Sequence, residues 1–163
     1  MPFGGPNSER ALILAPRGRD AEIASKLLEE AGWPSLICAN VARLCTELAK
    51  GAGFGVIVEE ALATDDVQAL TNYIKAQPAW SDFPIVVLTG RGDTPGRNAL
   101  ANCLQDLLGN VTFLERPFHP TTLASVARAA LRSRHRQYQT ASCSRDETYL
   151  RANCSIEPRT FSL

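Results

Sequence analysis

Apolar residues in this chain gather in five short runs, and between the runs they recur at intervals of three and four. The runs are Ala11-Leu12-Ile13-Leu14-Ala15, Ser35-Leu36-Ile37-Cys38-Ala39, Gly55-Val56-Ile57-Val58, Pro84-Ile85-Val86-Val87-Leu88-Thr89 and Val111-Thr112-Phe113-Leu114-Glu115. A continuous apolar run of this length, bounded by Gly, Pro or polar turns, reads as a strand covered on both faces, as in a parallel sheet. The intervening segments carry helical spacing: Ile23, Leu27, Leu28 and Ala31; Val41, Leu44, Cys45 and Leu48; Val67, Leu70, Tyr73 and Ile74; Leu100, Cys103, Leu104, Leu107 and Leu108. Leu123, Val126, Ala127, Ala130 and Leu131 repeat it after the fifth run. Asp20 and Asn40 stand where a side-chain oxygen can cap a helix, and Thr64-Asp65-Asp66 adds a cap and two acids to a third helix start. Gly32 with Pro34, Gly51-Ala52-Gly53 and Gly109-Asn110 supply stops, and Pro120 suits a first helical position.

The order is a βα unit repeated five times. Each crossover is long enough to hold a helix, and such units wind right-handedly into a parallel sheet. The predicted fold is α/β: a five-stranded parallel sheet with helices on both faces, flavodoxin-like, its strand order left open by the pattern. Working residues of such sheets lie just past the carboxyl ends of the strands. Glu59 and Glu60 fall there after the third run. Beyond Leu131 the chain turns basic, and residues 140–163 show no clear periodicity. The predicted organisation is a flexible leader over 1–9, one domain over 10–139 and a disordered tail over 140–163.

A chain of 163 residues with 45% apolar and 21% charged residues suits one globular domain with a proper core. Formal net charge is zero, which gives no reason to expect nucleic acid or an anionic membrane as partner. The basic residues 132–136 read as a solvated helix end. No apolar run approaches the roughly 18 residues of a membrane span, and the first residues lack the regions of a signal peptide. The five cysteines, Cys38, Cys45, Cys103, Cys143 and Cys154, are odd in number and form no C-x-x-C. They read as buried free thiols of a reducing cytoplasm, three of them on apolar faces. Neither His119 nor His135 lies at ligand spacing from a cysteine pair, so no zinc site is expected. The loop over 89–97 fails as a phosphate cradle: five residues separate Gly90 from Gly96, and no Lys-Ser/Thr follows. No cofactor is expected.

Three features on the right elements then carry a resemblance. Thr89 ends the fourth strand, Arg116-Pro117-Phe118 follows the fifth, and Phe113 lies three residues before Arg116. Over about residues 10–131 the chain resembles a response-regulator receiver (CheY-like) domain. Receivers carry Thr or Ser at the first place, Lys-Pro-Phe at the second and an aromatic switch residue at the third. The resemblance makes Glu59 the phosphoacceptor equivalent and Thr89, Phe113 and Arg116 the switch and phosphate-contact equivalents. It makes Ala15 and Pro16 the equivalents of the acidic pair that holds Mg²⁺.

These last residues depart from the pattern. Mg²⁺ wants carboxylate and water oxygens, and neither Ala15 nor Pro16 offers a carboxylate. A glutamate is also one methylene longer than the family's aspartate, and phosphoryl transfer depends almost wholly on positioning and electrostatics. The chain is therefore identified as similar to a degenerate pseudo-receiver, such as the N-terminal modules of some bacterial histidine kinases. It is expected to be non-enzymatic and to signal by contact with a protein: a histidine kinase, or itself through the fourth predicted helix, fifth strand and fifth helix. A Glu59–Arg116 pair can mimic the phosphorylated state, be merely structural, or not form. The alternatives are an active receiver phosphorylated on Glu59 or Glu60, a truncated part of a sensor histidine kinase, and a small-ligand binder on the same sheet.

Overall fold

The computed structural model describes residues 9–64, 67–91 and 96–154, with the backbone alone at Thr64, Arg97, Ser142 and 144–154. Five strands form: β1 Ala11–Leu14, β2 Ser35–Cys38, β3 Phe54–Val58, β4 Ile85–Thr89 and β5 Val111–Glu115. All neighbours are parallel, in the order β2-β1-β3-β4-β5. β1, β3 and β4 are buried at every residue, which is why their sequences are apolar without alternation. The edge strands are partly exposed and mix polar residues into their runs. The chain leaves β1 toward β2 and returns to pair β3 on the other side of β1. Such a reversal opens a crevice at the carboxyl ends of β1 and β3.

The helices are α1 Asp20–Glu30, α2 Val41–Ala49, α3 Glu59–Thr64, α4 Val67–Lys75, α5 Arg97–Leu108 and α6 Pro120–Cys154. α1 packs with α6, while α2 meets α4 and α4 meets α5. Asn40 caps α2 as its sequence predicts, accepting the Arg43 N–H at 2.8 Å. At the opposite edge from the crevice, the Arg10 guanidinium donates to the Gly51 carbonyl and to Glu47, tying β1 to the end of α2.

Several expectations change. Asp20 is the first residue of α1, not its cap; Arg19 precedes it without a side-chain cap bond. A short helix, α3, starts directly at Glu59, so both glutamates occupy a helical first turn rather than a loop. The acids at Asp65 and Asp66, the leader over 1–8 and the tail over 155–163 lie outside the described residues. The boundary placed at residue 139 does not mark the end of the helix, because α6 continues to Cys154. Nor is the basic run simply solvated. Arg134 is 8% exposed, with its guanidinium 4.7 Å from the Tyr138 ring, 5.5 Å from Phe83 and 6.0 Å from Trp80. It donates to Ser81 Oγ, and Gln137 exchanges hydrogen bonds with the Asp82 backbone. Among the thiols, Cys38 is buried and Cys45 partly so, but Cys103 and Cys143 are exposed. Burial, with the Glu47 charge, pushes the Cys38 thiol above its ordinary value.

Candidate functional site

The site lies where β1, β3, β4 and β5 deliver their last residues to one edge. β1 ends at Leu14 and hands over to Ala15, buried, and Pro16, exposed. β3 ends at Val58, and Glu59 and Glu60 open α3. Neighbours in a helical turn point about 100° apart, so the two carboxylates serve different sides. Glu59 turns toward β4 and α5. It accepts the Gly90 N–H at 3.3 Å and shares a cavity of about 350 Å³ with Thr89, Leu104 and Phe113. Glu60 turns toward α1 and reaches Arg116.

Arg116 is placed by its own backbone. Its N–H and its Nε both donate to the Thr89 carbonyl, at 2.9 and 3.2 Å, which fixes the guanidinium against the end of β4. The other two nitrogens are then spread between two carboxylates: Nη1 donates to Asp20 Oδ2 at 2.5 Å, and Nη2 donates to Glu60 Oε1. Partial burial pushes the Glu60 carboxyl up, but the hydrogen bond from Arg116, a backbone N–H and the Arg116 charge together outweigh it and hold the group below the usual range. The same burial works against the Arg116 charge, and its bonds to Glu60 and Asp20 outweigh it, raising the group above its ordinary value.

The structure thus brings Arg116 to Glu60 and Asp20, not to Glu59. This corrects the direct Glu59–Arg116 contact weighed from the sequence. Thr89 and Phe113 do lie together with Glu59, in the cavity on the other side of the β3 end. Sequence reasoning missed Asp20 as a site residue because an acid before a helix reads locally as a cap. Its partner is 96 residues away.

The residues present do not fit a Mg²⁺ site of the family's kind. The end of β1 supplies a methyl group and a proline ring. Of the described carboxylates at this edge, Asp20 and Glu60 are both engaged by the Arg116 guanidinium, and Glu59 faces the other way and accepts the Gly90 N–H. Among the described residues no group of three or more His, Cys, Asp or Glu side chains is placed to hold a metal. No described helix is long and apolar enough to cross a membrane.

No family model matches the chain. It is 32% identical over 108 residues to the transcriptional regulatory protein FixJ of Bradyrhizobium diazoefficiens, a match covering 65% of this chain and 48% of that protein. The chain therefore spans about half the length of the curated relative it matches. Among solved structures, full-length FixJ from B. japonicum superposes with a TM-score of 0.62 at 24% identity, covering 93% of this chain and 70% of that one. A CheY-like receiver domain protein of Methanospirillum hungatei gives 0.64 at 13% identity, covering 80% and 99%. The receiver domain of a sensor histidine kinase of Pseudomonas aeruginosa, which has magnesium coordinated in its active-site cleft, gives 0.60 at 19%, covering 76% and 98%. The strand order and these superpositions give the described chain the fold of a response-regulator receiver (CheY-like) domain.

Proposed function

We propose that this chain is a degenerate receiver module of two-component signalling, acting through protein contact and not through Mg²⁺-dependent aspartyl phosphorylation. The observation that carries the reading is the Asp20–Arg116–Glu60 cluster, set beside a β1 end that has lost its carboxylates. A receiver needs a metal to neutralise the transferring phosphoryl group and an accessible carboxylate to accept it. Here a guanidinium fixed on the Thr89 carbonyl is shared by Asp20 and Glu60, while Glu59, the phosphoacceptor equivalent, turns away from it and accepts the Gly90 N–H. Such a cluster sets one conformation of the edge without a ligand. The output face is α5, β5 and α6, where Leu100 is 41% exposed beside the Phe113 cavity. The partner is a histidine kinase or a second copy of the chain, and the module itself catalyses nothing.

Intact mass after incubation with acetyl phosphate and Mg²⁺ tests this, with Glu59→Ala and Glu60→Ala as controls. The expected result is no phosphoryl adduct at any Mg²⁺ concentration. A Mg²⁺-dependent adduct that one of the two variants abolishes would overturn the reading and make the chain an active receiver.

A further inference from the structure

Two stripes of opposite charge lie on neighbouring helices. In α6, residues 120–143 hold four arginines and no acid. Arg134 is buried, but Arg128, Arg132 and Arg136 recur every four residues and are exposed. The buried stripe of α6 is Leu123, Ala127, Leu131 and Arg134. At about 100° per residue the three exposed arginines point to the opposite side, out to solvent. In α1, Glu22, Glu29 and Glu30 are exposed, against one exposed cation, Lys26. None of these three arginines and three glutamates has an ion-pair partner among the described residues. Of the side chains outside the described set, those of 1–8 include no acid, and Asp146 and Glu147 are balanced by Arg145 and Arg151. Both helices start at the carboxyl edge of a parallel sheet and pack against each other, so they run the same way. Their seam opens at that edge, lined by Ile23 and Leu27 of α1 and by Phe118 and Pro120. Ile23 is 50% exposed, an aliphatic side chain that the fold leaves uncovered.

We propose that this face docks a second copy of the chain, α1 of each copy lying on α6 of the other. A two-fold axis along the seam, parallel to both helices, makes the two contacts at once. Each glutamate stripe then meets an arginine stripe, and the two copies of Ile23 meet near the axis. An apolar centre inside a charged rim is the usual anatomy of an interface. The occupant is a copy because the complement of each stripe stands beside it in the same chain, and a closed pair satisfies both. Helices of 11 residues and of the 22 from Pro120 to Ala141 offer a footprint of roughly 500 Å². A standard stable complex uses about 800 Å² a side, so this dimer is weak and salt dissociates it. The proposal does not rest on the phosphorylation reading, and it leaves α5 and β5 of the proposed output face uncovered.

Sedimentation velocity of the full chain tests it, over a concentration series reaching hundreds of micromolar in low and in high salt. A monomer–dimer equilibrium in the micromolar range is expected, weakened about tenfold by high salt. Arg128→Glu with Arg132→Glu leaves the chain monomeric, because like charges then face each other across both contacts. Glu29→Arg with Glu30→Arg does the same. An equimolar mixture of these two double variants dimerises as the wild type does, since both contacts of the mixed pair again join opposite charges. Ile23→Glu weakens the dimer about tenfold, as loss of a buried aliphatic contact implies. All five positions are exposed, and far-UV circular dichroism melts verify that the fold is kept. A monomer at every concentration overturns the interface. Failure of the mixture to restore association, or a dimer unchanged in Ile23→Glu, overturns the pairing of α1 with α6. A dimer lost in Leu100→Glu but kept in both double variants overturns it in favour of a contact through α5 and β5.

Discussion

Arg116 shows how one side chain's meaning depends on what the chain brings to it. Its backbone and Nε share the Thr89 carbonyl, which spends the side chain's freedom before any carboxylate is met. Two carboxylates then divide the remaining nitrogens, so each bond costs little further ordering. Glu60 is 58% exposed, so solvent and salt screen its share of the cluster. Its carboxyl is nonetheless held below the ordinary range, which fixes the sign of a pH effect. A group that binds its proton less readily in the native state stabilises that state above the unfolded pKa. The contribution disappears as the pH falls through the native pKa. Chemical denaturation of the wild type and Glu60→Gln should therefore differ most near neutrality. The two should begin to converge as the pH falls below the ordinary glutamate value of about 4.3 and meet only below the lowered native pKa, and added salt should narrow the gap. A gap that widens in acid would contradict the cluster.

At the scale of elements, α6 is the informative piece. Its 35 residues span roughly 52 Å at 1.5 Å per residue, far more than strands of four or five residues can cover. Its first half is held by Leu123, Ala127 and Leu131, the stripe its spacing predicts. The stripe then continues through Arg134, Tyr138 and Ala141 at helical intervals, with a cation where an aliphatic residue is expected. The arginine is admitted because Trp80, Phe83 and Tyr138 surround it with ring faces and Ser81 and Gln137 accept from Nη1. Rings stabilise a desolvated guanidinium, and its methylene stem packs as an apolar group does. Arg134→Ala should cost about 2 kcal/mol in denaturant unfolding and alter Trp80 emission. An unchanged midpoint would mean the rings hold α6 without the cation. A search for aromatic residues around each arginine of the sequence would not find this cage, since the rings come from two segments about 50 residues apart.

For the whole molecule, the same docking decides where the domain ends. The boundary drawn from the sequence falls at residue 139, yet Ala141 beyond it is still buried, and Arg134 and Gln137 in the basic segment before it contact the body. A chain ended after residue 131 should melt several degrees lower, at about 2–4 °C per kcal/mol for this size. One ended after residue 143 should melt with the full chain. Equal melting of all three would place the limit of the cooperative unit before Arg134.

The sequence by itself determined the elements and their class. Apolar runs without alternation, helical stripes between them and caps such as Asn40 are local patterns, and local physics enforces them wherever the chain goes. The five parallel strands follow from those patterns, and so does the predicted edge at which Glu59, Glu60, Thr89 and Arg116 arrive. Tertiary structure alone decided the strand order and which of two adjacent glutamates meets the arginine. It also turned Asp20 from a cap into a partner and gave Arg134 a buried place. In each case the reason is the same. Starting α3 at Glu59 sends neighbouring carboxylates to different sides of one strand end, where they meet groups 31 and 56 residues away, and Arg116 itself meets Thr89 and Asp20 at separations of 27 and 96 residues. A local pattern records that a charge is present, and only the folded chain records what stands beside it.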